Sequence, residues 1–140
     1  MTILDLAQPR HAALDRRLRA EPIIWLGSTR PDGRPHLVPV WFWWDGATIL
    51  LFSKPTNQKV RNLLHQPRVM FALDAADEGE DIGLFEGLAE LLPAGTVDST
   101  LPEFAAKYAA LFVRIGSTPE KMAAEYSQAV RITPTKLVMS

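Results

Sequence analysis

The segment PHLVPVWFWW, Pro35 to Trp44, constrains this chain more than any other. At the two-residue period of a strand, Val38, Val40, Phe42 and Trp44 share one side, and Leu37, Pro39, Trp41 and Trp43 share the other. A half-exposed antiparallel strand alternates apolar with polar residues, so a strand apolar on both sides must be covered on both. One side is expected to meet a barrel core. The other calls for a partner chain, a flat ligand or both, unless the tryptophans simply form one thick core. Pro39 has no backbone donor and belongs at an edge or a bulge, and bulges recur beside ligand sites.

Turn chemistry divides the rest. Pro9 opens a short amphipathic helix that Pro22 ends. Ile23–Thr29 and Pro35–Trp44 flank the turn RPDGR, and Asp45-Gly46 leads into Thr48–Ser53, which predicts a three-stranded meander. A helix is expected over KVRNLLHQ, with Thr56 or Asn57 as its cap and Pro67 as its stop. RVMFALD and IGLFEGLAELL read as strands on either side of the acidic loop AADEGED. Two helices, PEFAAKYAALF and TPEKMAAEYSQ, precede a last strand, AVRITPTKLVM. The expectation is one domain over residues 1–140, a mostly β (α+β) fold built as a six-stranded antiparallel barrel with short flanking helices.

Charge is segregated along the chain. The 140 residues carry a net charge of −1, which argues against a nucleic-acid or anionic-membrane partner. Yet Gly46 to Leu73 holds no acid while containing Lys54, Lys59, Arg61 and Arg68, and Asp74 to Glu90 holds seven acids and no base. Ser53, Lys54, Thr56, Asn57, Gln58 and Lys59 fall where a strand ends and a helix begins, a place where free N–H groups favour an anion. Asn62 lies one turn beyond Lys59, on the same side of the helix. The segment therefore reads as a phosphate seat or as a solvated basic face. With no cysteine, a disulfide scaffold, a thiolate metal site and a cysteine nucleophile are excluded. His11, His36 and His65 fall on separate elements without carboxylates at ligand spacing, so no metal is expected. No run is apolar enough to span a membrane, and a cytoplasmic location is expected.

The order HLVPVWFWWDG, an apolar strand ending in Ser, KPTNQKVRNL, QPRV and FEGLAE resembles the pyridoxamine 5'-phosphate oxidase-like, FMN-binding split barrel superfamily, and within it the branch of coenzyme F420-dependent enzymes. The resemblance spans nearly the whole chain. It implies a homodimer of split barrels with cofactor at the interface. It also implies that His36, Leu37, Val38, Pro39, Val40 and Trp41 run beside the tricyclic ring, that Phe52 and Ser53 follow toward the ribityl chain, and that Lys59 binds phosphate. Gln58 stands where the superfamily often has arginine, so Lys54 or Arg61 would share that task, with Thr56, Asn57 and Asn62 completing the seat. The chain ends RITPTKLVMS rather than in the Arg-Leu-x-Pro motif of the oxidase itself, which argues against vitamin B6 oxidation.

No acid–base constellation is legible, which suits chemistry carried by a cofactor. The expected function is transfer of a hydride from reduced F420 to a small organic acceptor, with Trp43 or Trp44 walling the acceptor pocket. Two alternatives stay open: an FMN-dependent enzyme on the same scaffold, and a non-catalytic flavin carrier. The polyglutamate tail of F420 would want further cations, for which Lys54, Arg61, Arg68 or the arginines of the first helix are candidates.

Overall fold

The computed structural model describes residues 2–140, apart from the side chain of Asp77. Helix α1 (Pro9–Ala20) precedes strands β1 (Ile24–Thr29), β2 (Pro35–Val40), β3 (Trp43–Trp44) and β4 (Ile49–Ser53). Helix α2 (Gln58–His65), strands β5 (Arg68–Ala72) and β6 (Leu84–Leu91), helices α3 (Thr96–Lys107), α4 (Ala109–Ile115) and α5 (Pro119–Glu125), and strand β7 (Gln128–Met139) follow. All pairings are antiparallel in one sheet of order β2-β1-β5-β6-β7-β4-β3.

Seven strands replace the expected six because Pro35–Trp44 breaks at Trp41-Phe42. Its first part pairs with β1 at one edge of the sheet and its last part with β4 at the other. The expected meander is thus two hairpins at opposite edges, joined by two residues. Three Cα steps reach at most about 11 Å, so the sheet must curl until its edges come together. The result is a split barrel. The turns fall where glycine permits them: Gly33 and Gly46 adopt φ of 90° and 98°, and Asp45 accepts the N–H groups of Ala47 and Thr48.

Inside the barrel, Ile24, Leu26, Phe42, Trp44, Phe71, Phe85 and Ile132 form the main core, and α1 closes it with Leu14 and Leu18. A second core lies outside. All five residues of β4 are buried, with Ile49 and Leu51 turned into the barrel and Leu50 and Phe52 turned toward α3–α5. Trp41 and Trp43 pack into this second core, so helices of the same chain cover that half of the doubly apolar segment. Leu37 and Pro39 stay exposed, Leu37 at 65 %. The helices also depart from expectation. One predicted helix over 102–112 is two, α3 beginning at Thr96 with Pro102 on its exposed side, and Tyr108 forming the corner before α4. The acidic loop is not merely solvated: Arg10 and Arg17 of α1 reach Asp81 at 2.7 and 3.1 Å.

At the break, the backbone of Phe42 is buried and has no ladder partner, so side chains supply one. Phe42 N–H donates to the Tyr108 hydroxyl at 2.8 Å. That hydroxyl directs its one hydrogen at Pro22 O, 2.7 Å away, or Phe42 O, 2.9 Å away. Lys107 Nζ donates to Phe42 O at 2.8 Å and sits 3.5 Å from the centre of the Phe42 ring.

Two outcomes follow from this arrangement. Tyr108→Phe leaves the Phe42 N–H unsatisfied and should cost about 1–3 kcal/mol, read from urea denaturation. Burial pushes the Lys107 ammonium from 10.5 down to about 8, against an opposing pull from Glu21. Between those values the unfolded chain binds more protons than the folded one, so stability should rise with pH. Burial shifts Tyr108 upward from 10.0, which reverses the trend once unfolded tyrosine ionises. Urea midpoints measured across this range should climb and then fall, and Lys107→Met should flatten the climb. A wild-type profile that is flat above pH 8 would contradict the assignment.

Candidate functional site

A cleft of about 600 Å³ opens between the end of β2, β4 and the helical layer. The barrel side contributes Val38, Pro39, Val40, Trp41 and Phe52, while Asn57 and Lys59 supply polar groups from the start of α2. The opposite wall is Phe104, Phe112, Ile115, Met122 and Tyr126, with Ser117 and Glu125 as its polar members. Trp41 is held in place on one face by Tyr108, stacked at 4.5 Å and 5°, and by the edge of Phe112 at 5.6 Å. The cleft is therefore mostly aromatic and apolar, with one cation, and one carboxylate in Glu125, among its lining residues.

That cation is Lys59. Burial alone lowers its ammonium from the ordinary lysine value, and among the described residues no carboxylate pairs with it. It lies in the first turn of α2, whose Asn57 cap makes no side-chain bond to the helix. An uncapped helix start leaves N–H groups free for an acceptor.

The other expected residues take different positions. Leu37 points to the exposed outer face of the sheet. Ser53 is fully buried and its hydroxyl donates to Lys54 O at 3.0 Å. Lys54 pairs with Glu125 at 2.9 Å and lies 5.5 Å from the Tyr126 ring centre, and Glu125 raises its pKa. Thr56 is exposed. Gln58 donates to Asn62 Oδ1 at 2.8 Å and accepts from the exposed Arg61 at 2.8 Å, so its amide is occupied. Asn62 is fully buried and donates to Ser28 Oγ at 3.0 Å, tying α2 to β1. His36 is half-buried near Lys59 and outside the cleft lining.

Neither tryptophan expected to border an acceptor lines the cleft. Trp44 is buried in the barrel with its indole N–H on Asp15 Oδ1 at 2.9 Å, and Trp43 packs in the helical core. Trp41 takes the place in the wall. The helical wall itself carried no chemical motif, since its aromatic residues follow an ordinary amphipathic pattern. Three of the four arginines of α1 are engaged as well, Arg17 with Glu21 and Asp81, Arg10 with Asp81 and Arg19 with Asp15.

A curled antiparallel sheet of this order, its two edges joined across Trp41-Phe42, defines a split-barrel fold. The chain belongs to the pyridoxamine 5'-phosphate oxidase family, whose pattern matches residues 11–139. Among solved structures it is similar to an F420 reductase, at 25% identity and a TM-score of 0.64, over 87% of this chain and 93% of that one. A conserved hypothetical protein from Mycobacterium tuberculosis is 24% identical with a TM-score of 0.67, over 91% and 80% of the two chains. A FAD-binding protein from Mesorhizobium loti shares the fold at 18% identity and a TM-score of 0.64, over 89% of each chain. No curated protein matches. Among the described residues no helix is long and apolar enough to cross a membrane, and no three or more His, Asp or Glu side chains are grouped so as to hold a metal ion.

Lys59 is a charge held partly out of water without a partner, which costs free energy in the free protein. Lys59→Met keeps the aliphatic stem and removes that cost, so the variant should melt at a higher temperature than wild type in buffer free of multivalent anions. A lower melting temperature would mean that the Lys59 ammonium has a stabilising partner in the free protein.

Proposed function

We propose that the protein is an oxidoreductase that binds a phosphorylated tricyclic cofactor in this cleft, F420 in the first instance and FMN as the alternative. The observation that carries the reading is Lys59: a desolvated, unpaired cation at an uncapped helix start, bordering an apolar aromatic cleft. Such a site fits a ligand with a planar apolar ring and an anionic end. Lys59 and the first turn of α2 would hold the phosphate, and Val38 to Trp41 would lie beside the ring. When bound and reduced, such a cofactor supplies the hydride. The apolar walls exclude water, and Trp41, immobilised by Tyr108, limits how an acceptor approaches. The family and the likeness to an F420 reductase support this reading.

Homodimerisation belongs to the same proposal. Leu37 and Pro39 on β2 and Met70 on β5 form a row of exposed apolar residues on the outer face, Leu37 and Met70 both standing opposite Gly27. A second copy would bury that surface.

Gel filtration after separate incubation with FMN and with F420, with absorbance detection, reads both points. Bound cofactor should co-elute with a species of dimer size, and Lys59→Met should weaken binding by about 1.5–3 kcal/mol, roughly tenfold or more in Kd. If neither cofactor co-elutes, the proposal fails. Anaerobic stopped-flow then separates enzyme from carrier. Quinone or nitroaromatic acceptors should reoxidise bound reduced cofactor faster than free cofactor, and Trp41→Ala should change that rate more than it changes affinity. Equal rates for bound and free cofactor would leave a carrier.

A further inference from the structure

Helix α5 has open space on two sides. Met122, Glu125 and Tyr126, spaced at i, i+3 and i+4, line the cleft, while Ala123 and Ser127 line a second cavity of about 310 Å³. The far wall of that cavity is Leu92 and Ala94, from the β6–α3 connection, and Val97 in the first turn of α3. The β4–α2 loop borders both spaces, Pro55 lining the second cavity and Asn57 the cleft. α5 is thus a partition between them.

This partition is lightly held. Phe112 is the buried residue of α4 and Ala123 that of α5, whereas all five residues of β4 are buried. Its two ends, by contrast, are fixed. Tyr108, buried and hydrogen-bonded to Phe42 and Pro22, precedes α4. Gln128 follows α5, pairs with Ser53 in the sheet, and donates from its side-chain amide to Leu92 O and Ala129 O at 3.1 and 2.9 Å. Between these anchors the chain turns at Gly116, in the left-handed region at φ 69°. Residues 109–127 therefore form a strap slung between two rigid points, jointed in the middle. A helix with a void on either side gives up few contacts when it shifts, and lightly buried segments open at a free energy well below that of global unfolding. At the mouth of the cleft the strap is caught by Lys54, whose Nζ lies 2.9 Å from Glu125 Oε1 and 5.5 Å from the Tyr126 ring centre.

We propose that this strap is a lid: α5 shifts into the second cavity to open the cleft, and the Lys54–Glu125 pair is the catch that holds it closed. The use of the lid rests on the preceding reading of the cleft as a ligand site, while the motion does not. A rigid ring walled on both faces enters only where one wall withdraws, so the lid governs the rates of entry and exit more than the affinity. An exposed ion pair is screened and weak, which suits a catch released at each binding event.

Relaxation-dispersion NMR of the full-length chain without cofactor reads the motion by itself. Amides of residues 109–127 should show microsecond-to-millisecond exchange, and those of β1, β5 and β6 should not. Glu125→Gln unfastens the catch and should raise the open population about two- to fivefold, as should high salt in the wild type. Ala94→Leu fills the second cavity from its fixed wall and should lower that population. Both positions are exposed, so the fold tolerates either change. Flat dispersion across the strap, or profiles that neither substitution alters, overturns the lid. Stopped-flow mixing with FMN and with F420 then reads the gate. Ala94→Leu should slow association and dissociation together by about threefold or more and leave Kd within about twofold. If the ligands bind at rates that Ala94→Leu does not change, the lid is refuted as their gate and the cofactor reading survives. If the strap exchanges as expected while neither ligand binds, the motion stands and the cofactor reading falls.

Discussion

The architecture depends on how the backbone of one residue, Phe42, is satisfied. Between β2 and β3 the chain leaves one edge of the sheet and joins the other, and Phe42 crosses the gap with its backbone buried and outside any ladder. Tyr108, at the corner after α3, accepts its N–H, and Lys107, the last residue of α3, donates to its carbonyl. A buried peptide unit without such partners would cost several kcal/mol, enough to matter in a chain of this size. The same Tyr108 ring stacks on Trp41, so the contact that closes the barrel also fixes one wall of the cleft. The barrel seam and the site are a single construction.

This coupling explains why the helical layer stands where it does. β4 is buried on both faces, with one set of residues facing the barrel and the other facing α3–α5, and the cleft occupies the part of the second interface that the helices leave unfilled. Phe52 serves both, packing on Phe104 at 4.6 Å while lining the cleft. A ligand there would rest on side chains whose rotamers are already set by two cores, which reduces the ordering cost of binding.

Much of the architecture was legible where local chemistry speaks for itself. The two aspartate-glycine turns and the proline at the start of α1 each specify their element without outside help. The break at Trp41-Phe42 was not legible, because nothing local ends a run of apolar residues there; a side chain 66 residues away makes the break tolerable. For the same reason the doubly apolar pattern pointed only to cover from elsewhere, when helices of the same chain cover Trp41 and Trp43 and leave Leu37 and Pro39 open.

Among the basic residues between Gly46 and Leu73, charge pattern alone does not rank one lysine above another, but burial and pairing do. Lys54 is neutralised by Glu125 across the mouth of the cleft, Arg61 is spent on Gln58, and Lys59 is left desolvated. Lys54 is partly and Glu125 largely exposed, so their attraction is screened and worth little. Lys59 is different in kind: its charge is already partly stripped of water, so an incoming anion recovers a cost the fold has met in advance. Desolvated cations bind more tightly for that reason, and a protein of this size has few means of keeping one unless a ligand repays it.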